Sequence, residues 1–240
     1  MVMPMSPSSD LIPWVACAAA ERPILANHYF TALAGGMSCE VFTRTQEQFY
    51  FAVRYFSRPM AALTARMPDS TRRRGLIHNL AEEHGAQEEC PAVLEPNLAH
   101  DRTFIQFLST LGVSPDQVAA LREKAAVRAF NNALMGTCLM EPVGLAFGCL
   151  GVIEHAFASI SACIGETVVR HGWVSTNDLV HYKLHAEIDE RHAADFFNVV
   201  ADDWQTYPAR RAEIEDGVRL GLHIFGRFYD ELLAEAAFAS

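Results

Sequence analysis

Apolar side chains recur three and four residues apart along nearly the whole chain, as in Phe49, Val53, Phe56, Met60 and Leu63, the spacing of helices with one buried face. Period-2 runs of Val, Ile and Thr between turn residues are absent, so the expected fold class is all-α. Boundary signals divide the pattern. Asp69-Ser70 precedes a basic turn, Leu111-Gly112 is a stop, and Gly172 followed by Ser175-Thr176-Asn177-Asp178 ends one long helix and opens the next. In Ser114-Pro115-Asp116-Gln117 the serine caps, the proline takes the first helical position and the glutamine completes a capping box. About seven helices are expected near 11–34, 40–66, 70–89, 100–111, 115–137, 142–171 and 175–203, with a last one near 208–237. Residues 1–10, rich in Pro and Ser, are expected to be a loose N-terminal tail. No linker or repeat divides residues 11–240, which are expected to form one helical domain.

Composition narrows the class. Half of the 240 residues are apolar and a fifth are charged, which excludes a disordered or collagen-like chain. Nineteen basic against twenty-nine acidic side chains give a net charge of -10, which repels polyphosphate, so no nucleic-acid partner is expected. The six cysteines form no C-x-x-C pair and read as reduced core thiols of a cytoplasmic protein. Leu11 to Ala20 is apolar but lacks the basic flank of a secretory signal. The apolar stretch from Pro142 to Gly165 has Glu154 and His155 at its centre, where lipid would penalise an ionised group. It reads as a buried helix, with no membrane partner.

Chemistry concentrates in four segments. In Lys183-Leu184-His185-Ala186-Glu187-Ile188-Asp189-Glu190-Arg191-His192, offsets of four and seven place His185, Asp189 and His192 within roughly 60° of one another at about 100° per residue. Leu184, Ile188, Phe196 and Val199 mark that face as the inward one, with Glu187, Glu190 and Arg191 turned away. Two imidazoles around a carboxylate suit iron, manganese or zinc, and an interhelical hydrogen-bond cluster is the competing reading. Glu154 is the only carboxylate between Glu141 and Glu166 and must be neutralised, metal-bound or paired with a cation such as Arg54. In Asn79-Leu80-Ala81-Glu82-Glu83-His84-Gly85, Leu76 and Leu80 share a face with Glu83, which makes Glu83 the inward carboxylate and leaves Glu82 and His84 as alternatives. His100 opens the fourth segment, one turn before Phe104, Phe107 and Leu108. Arg54 is a candidate anchor for a substrate carboxylate, Phe147, Phe157, Met135 and Met140 are candidate pocket walls, and His181 is a candidate partner for the ligands behind it. Together Glu83, His100, Glu154, His185, Asp189 and His192 offer three carboxylates and three imidazoles, a set that suits two metals sharing a carboxylate. Paired Glu-x-x-His motifs of a ferritin-type bundle are absent.

The order Asn79-Leu80-Ala81-Glu82-Glu83, His100 before an aromatic-rich helix, Gly151-Val152-Ile153-Glu154, then His185-x3-Asp189-x2-His192 resembles the haem-oxygenase-like diiron oxidases. These are iron-containing redox enzymes related in fold to the TenA and PqqC families. The resemblance implies a seven-helix haem-oxygenase-like bundle with those six residues as metal ligands, two Fe2+ per chain and O2 as co-substrate. It also implies oxidation of a small amino acid, amine or fatty acid by desaturation, carbon–carbon cleavage or N-oxygenation, and a homodimer. The stretch between Glu83 and His100 is long for this pattern and adds Glu88, Glu89 and Glu95 as alternatives to Glu83. Where N-oxygenating relatives carry a further carboxylate, this chain has Tyr50, Arg54, Tyr55 and Arg58. The rival functions are a metal-free TenA- or PqqC-like enzyme, for which Cys138 would be a nucleophile, and a non-enzymatic metal- or partner-binding helical protein.

Overall fold

The structure, a computed structural model, describes residues 10–87 and 90–237. Its helices are α1 (Leu11–Glu21), α2 (His28–Gly35), α3 (Cys39–Arg66), α4 (Arg73–Glu83), α5 (His100–Thr110), α6 (Pro115–Ala120), α7 (Ala125–Met140), α8 (Val143–Arg170), α9 (Val180–Thr206) and α10 (Pro208–Ala237). Among the described residues there are thus ten α-helices rather than about seven. Of the expected tail, only Asp10 lies within the described residues.

Two of the expected spans are broken for identifiable reasons. Pro23, which has no N–H to donate and disfavours a helical Arg22, separates α1 from α2. Between α6 and α7, the Gln48 side chain of α3 donates to the Arg122 carbonyl at 3.2 Å and accepts from the Lys124 N–H at 2.9 Å. Those contacts hold Leu121 to Lys124 outside a helix. The capping box at Ser114 and Gln117 forms as its sequence implies.

The helix expected over 70–89 ends at Glu83, and the all-α expectation misses a small antiparallel hairpin, β1 (Ala86–Gln87) and β2 (Cys90–Leu94). Gly85 makes the reversal, with φ of 94°. A Cβ there would lie 2.1 Å from the Glu95 carbonyl oxygen, so this crossing takes only glycine. The turn returns the chain to start α5 beside the end of α4.

α8 runs through the middle of the core, with α9 and α10 packed along it. Small residues set the spacing. A Cβ on Gly148 of α8 would lie 2.4 Å from the Ile214 carbonyl oxygen, and one on Gly217 of α10 would lie 2.0 Å from that of Leu145. α8 is long and apolar enough to cross a membrane, but most of it is buried inside the fold. Cys138 and Cys149 are buried, whereas Cys17 is exposed and so is not a core thiol.

Candidate metal centre

The turn at Gly85 brings the last residue of α4 against the first residue of α5. Glu83 Oε1 lies 3.0 Å from His100 Nδ1, and both side chains are buried. α9 contributes His185, Asp189 and His192 from one face, with His185 Nδ1 2.8 Å from Asp189 Oδ1. α8 contributes Glu154, whose Oε2 lies 3.9 Å from His192 Nδ1, and Asp189 Oδ1 lies 3.7 Å from that same nitrogen. The His100 and His185 rings meet edge to face with centroids 4.4 Å apart. All six sequence-predicted residues therefore converge, and none is more than 7% exposed.

The donors in this cluster are under-used. Glu154 Oε1, His185 Nε2, Asp189 Oδ2 and His192 Nδ1 are buried and have no hydrogen-bond partner among the described residues. One ligand atom each from Glu154, Asp189 and His192 can be chosen so that all lie within 4.8 Å of one another. Buried polar atoms are rarely left unsatisfied, and carboxylate oxygens with imidazole nitrogens are donors that iron, manganese and zinc accept. The residues present fit a metal. The Arg54 ion pair does not form, and among the described residues no Lys or Arg side chain makes an ion pair with Glu154.

A further carboxylate supports the cluster from outside. Glu82 is as buried as Glu83, and its Oε2 lies 2.8 Å from His192 Nε2. Arg191, which the helical wheel turns away from the core, reaches back to grip both Glu82 oxygens at 2.8 and 3.1 Å. His181, fully buried, places Nδ1 3.0 Å from Thr103 Oγ1. Sequence reasoning kept Glu82 only as an alternative to Glu83 and missed Thr103 and the role of Arg191. The adjacency of Arg191 to His192, opposite Glu82, was the available signal. Glu95 is exposed, His84 faces an outer depression, and Glu88 and Glu89 lie outside the described residues.

Electrostatics divide the carboxyls into two kinds. Burial raises Glu83, but the charge and hydrogen bond of His100, with His185 and His192 behind it, outweigh this and hold the group below its ordinary range. Burial is likewise outweighed at Glu82, where hydrogen bonds from His192 and Arg191 bring the pKa to about 2. Burial, then repulsion from Asp189, Glu83 and Glu82, pushes Glu154 well up. Burial also pushes Asp189 well up, against the pull of His192 and His100. Burial and the His100 charge push His185 well down. Burial lowers His100, but Glu83 overrides it and the net shift is upward. Burial thus favours the neutral forms of Glu154 and Asp189, and a bound cation would favour their ionised forms instead.

Above the cluster lies a cavity of about 460 Å³, open solvent at its mouth included, floored by Glu83, His100, Glu154, His181 and His185. Phe49, Phe56, Phe130, Phe157 and Phe225 wall it. Of the expected pocket residues Phe157 is present, whereas Phe147 packs in the core against Phe196 and Met140 is 83% exposed. Arg54 is exposed and lines, with Arg58, His84 and Asp101, an outer depression that shares Val53 and Glu83 with the cavity.

Comparison with known proteins gives the same direction. Two 4-aminobenzoate synthases are similar in sequence. The one from Chlamydia muridarum (strain MoPn / Nigg) is 23% identical over 164 residues, covering 66% of this chain and 64% of the relative. The one from Chlamydia trachomatis serovar D is 24% identical over 160 residues, covering 66% and 65%. The match therefore spans slightly less than two thirds of each relative. Among solved structures, a CADD-like protein from Nostoc punctiforme PCC 73102 superposes with TM-score 0.76 at 16% identity, covering 94% of this chain and 96% of that one. A TenA homologue from Pseudomonas syringae pv. tomato DC3000 gives 0.69 at 15% identity over 97% and 98%. A haem-oxygenase-like domain from Shewanella denitrificans OS217 gives 0.70 at 12% identity over 93% and 90%. Residues 44–226, which carry all six converging side chains, match the family described as iron-containing redox enzyme, so the chain belongs to that family and has the haem-oxygenase-like fold of the TenA proteins.

Proposed function

We propose that this protein is a nonhaem diiron oxidase or oxygenase that uses O2 to oxidise a small molecule held in the phenylalanine-walled cavity. The observation that carries the reading is the set of four partnerless buried donors, Glu154 Oε1, His185 Nε2, Asp189 Oδ2 and His192 Nδ1, within one cluster. Glu154, Asp189 and His192, whose donor atoms can be chosen within 4.8 Å of one another, would hold one ion, and Glu83, His100 and His185 offer further donors for a second. Ferrous ions there would supply electrons and open coordination positions for O2. The chain does the rest. Three carboxylates offset most of the +4 charge of a ferrous pair, Glu82 and Arg191 fix the His192 ring, and the phenylalanines keep bulk water from the reacting face.

The name of the Chlamydia relatives adds aromatic amines to the amino acids, amines and fatty acids that are candidate substrates or products. A metal-free enzyme using Cys138 is less well supported, since burial pushes that thiol up to about 12 and leaves it un-ionised at neutral pH. Free thiols fit a cytoplasmic setting, and the homodimer implied by the family resemblance is part of the same proposal, to be read by light scattering.

Anaerobic Fe(II) titration tests the reading. Saturation near two irons per chain is expected, with His185→Ala and His192→Ala each lowering it, followed by O2 consumption that one substrate class accelerates. Saturation near zero in the unmutated protein would sink the proposal. Iron uptake with no O2 reactivity towards any class would favour the metal-binding, non-enzymatic alternative.

A further inference from the structure

His181 lies one turn before His185, is fully buried and borders the same cavity as the metal-centre residues. Its ring is held on two sides. Phe104 meets it edge to face with centroids 4.8 Å apart, and Thr103 Oγ1 is 3.0 Å from Nδ1. The Thr103 hydroxyl is also 3.0 Å from the His100 carbonyl oxygen. A hydroxyl has one hydrogen, so both contacts are hydrogen bonds only if Thr103 donates to that carbonyl and accepts from His181 Nδ1–H. A neutral imidazole with its proton on Nδ1 carries a bare lone pair on Nε2. That nitrogen is buried and has no partner among the described residues. A buried acceptor of this kind implies a donor that arrives with a ligand.

The walls say what else that ligand is. Five phenylalanines favour a flat apolar body, and the polar groups on the cavity floor other than His181 belong to the metal cluster. We propose that His181 Nε2 is the substrate-orienting acceptor of this cavity. It receives the O–H or N–H of a substrate of the phenol or arylamine kind and so holds the polar end of that molecule beside the metal centre. This inference rests on reading the adjoining cluster as the metal centre. His181 is then a specificity-determining contact, because a site built to accept a hydrogen bond discriminates against isosteres that have none to give.

The test is isothermal titration of the full chain, loaded with redox-inactive Zn(II), with phenol, aniline, fluorobenzene and acetophenone. Phenol and aniline should bind at least about tenfold more tightly than fluorobenzene, and His181→Phe should remove most of that preference. His181→Gln, which restores an acceptor oxygen, should recover part of it. The ratio of two ligands on one sample does not depend on how much of a variant is folded. An unchanged ratio in His181→Phe would overturn the proposal, and so would a preference for acetophenone, which donates no hydrogen bond and would place the proton on Nε2. A lower Zn(II) content in His181→Phe would also overturn it by assigning this histidine to the metal. If the unmutated chain takes up no Zn(II), the metal-centre reading fails separately, and the phenol preference is then read in chelator.

Discussion

His192 is held through one ring nitrogen and left open at the other: Nε2 lies 2.8 Å from Glu82 Oε2, while Nδ1 faces Glu154 and Asp189 at 3.9 and 3.7 Å without a hydrogen bond. An ionised Glu82 accepts only, so it fixes the proton on Nε2 and turns the Nδ1 lone pair to the cluster. Arg191, gripping both Glu82 oxygens, keeps that carboxylate ionised and in place.

Glu82→Gln keeps the shape but offers His192 and Arg191 a half-donor in place of a carboxylate. Metal affinity should fall by about 10–100-fold, the usual effect of removing a group that orients a ligand. Competition between a coloured chelator and the protein for Co(II) measures it. Equal affinity in parent and variant would detach Glu82 from the centre.

Glu154 makes the metal-free protein respond to pH in a specific sense. Its folded pKa is raised above the ordinary 4.5, so its neutral form is the one the fold tolerates. The contribution is complete below the unfolded pKa and is lost as pH rises towards the folded one. Glu154→Gln removes that titration. In chelator, the variant should therefore gain on the parent as pH rises above the ordinary carboxylate value of 4.5, by about 2–4 °C in melting temperature for each kcal/mol. Glu154→Leu should behave likewise, since no arginine or lysine would be stranded. A steep loss of stability for Glu154→Leu would restore the structural ion-pair reading.

The chemistry of α9 and α8 was legible because it is periodic. His185, Asp189 and His192 share a helix face, and Glu154 is alone in an apolar run, so a single sequence places both. His100 and the pairing of Glu83 with it were legible only through the family pattern, because Gly85 and a hairpin bring them together across sixteen intervening residues. The helix count failed where long-range side chains override local propensity. Gln48 interrupts α6 and α7 from seventy-four residues away, which no local window contains. Glu82 failed for a different reason: a carboxylate beside an inward one reads as solvated until its arginine is seen.

Gln48 offers its own check on that account. Gln48→Ala removes the two part-buried hydrogen bonds to the Lys124 N–H and the Arg122 carbonyl. About 1–3 kcal/mol should be lost. A thermal melt should fall by roughly 2–4 °C per kcal/mol, with iron stoichiometry unchanged, because the site lies on other elements. An unaltered melt would mean that the break between α6 and α7 is held by something else.

Two glycines on α10 separate close packing from helix propensity. A Cβ on Gly226 meets nothing within 4 Å, whereas one on Gly217 would lie 2.0 Å from the Leu145 carbonyl oxygen and 3.0 Å from its Cα. Backbone atoms cannot rotate away, so Gly217→Ala must part α10 from α8, the helix that carries Glu154. Overpacking of this kind costs about 1–3 kcal/mol or more, against a helix-propensity gain of about 1 kcal/mol for replacing glycine by alanine. Gly226→Ala collects that gain alone. Melting temperature should therefore fall for Gly217→Ala and rise slightly for Gly226→Ala, and Fe(II) affinity should weaken only in the first, as Glu154 is displaced from Asp189 and His192. A Gly217→Ala protein as stable as the parent would show that α8 and α10 do not approach as closely as their glycines indicate.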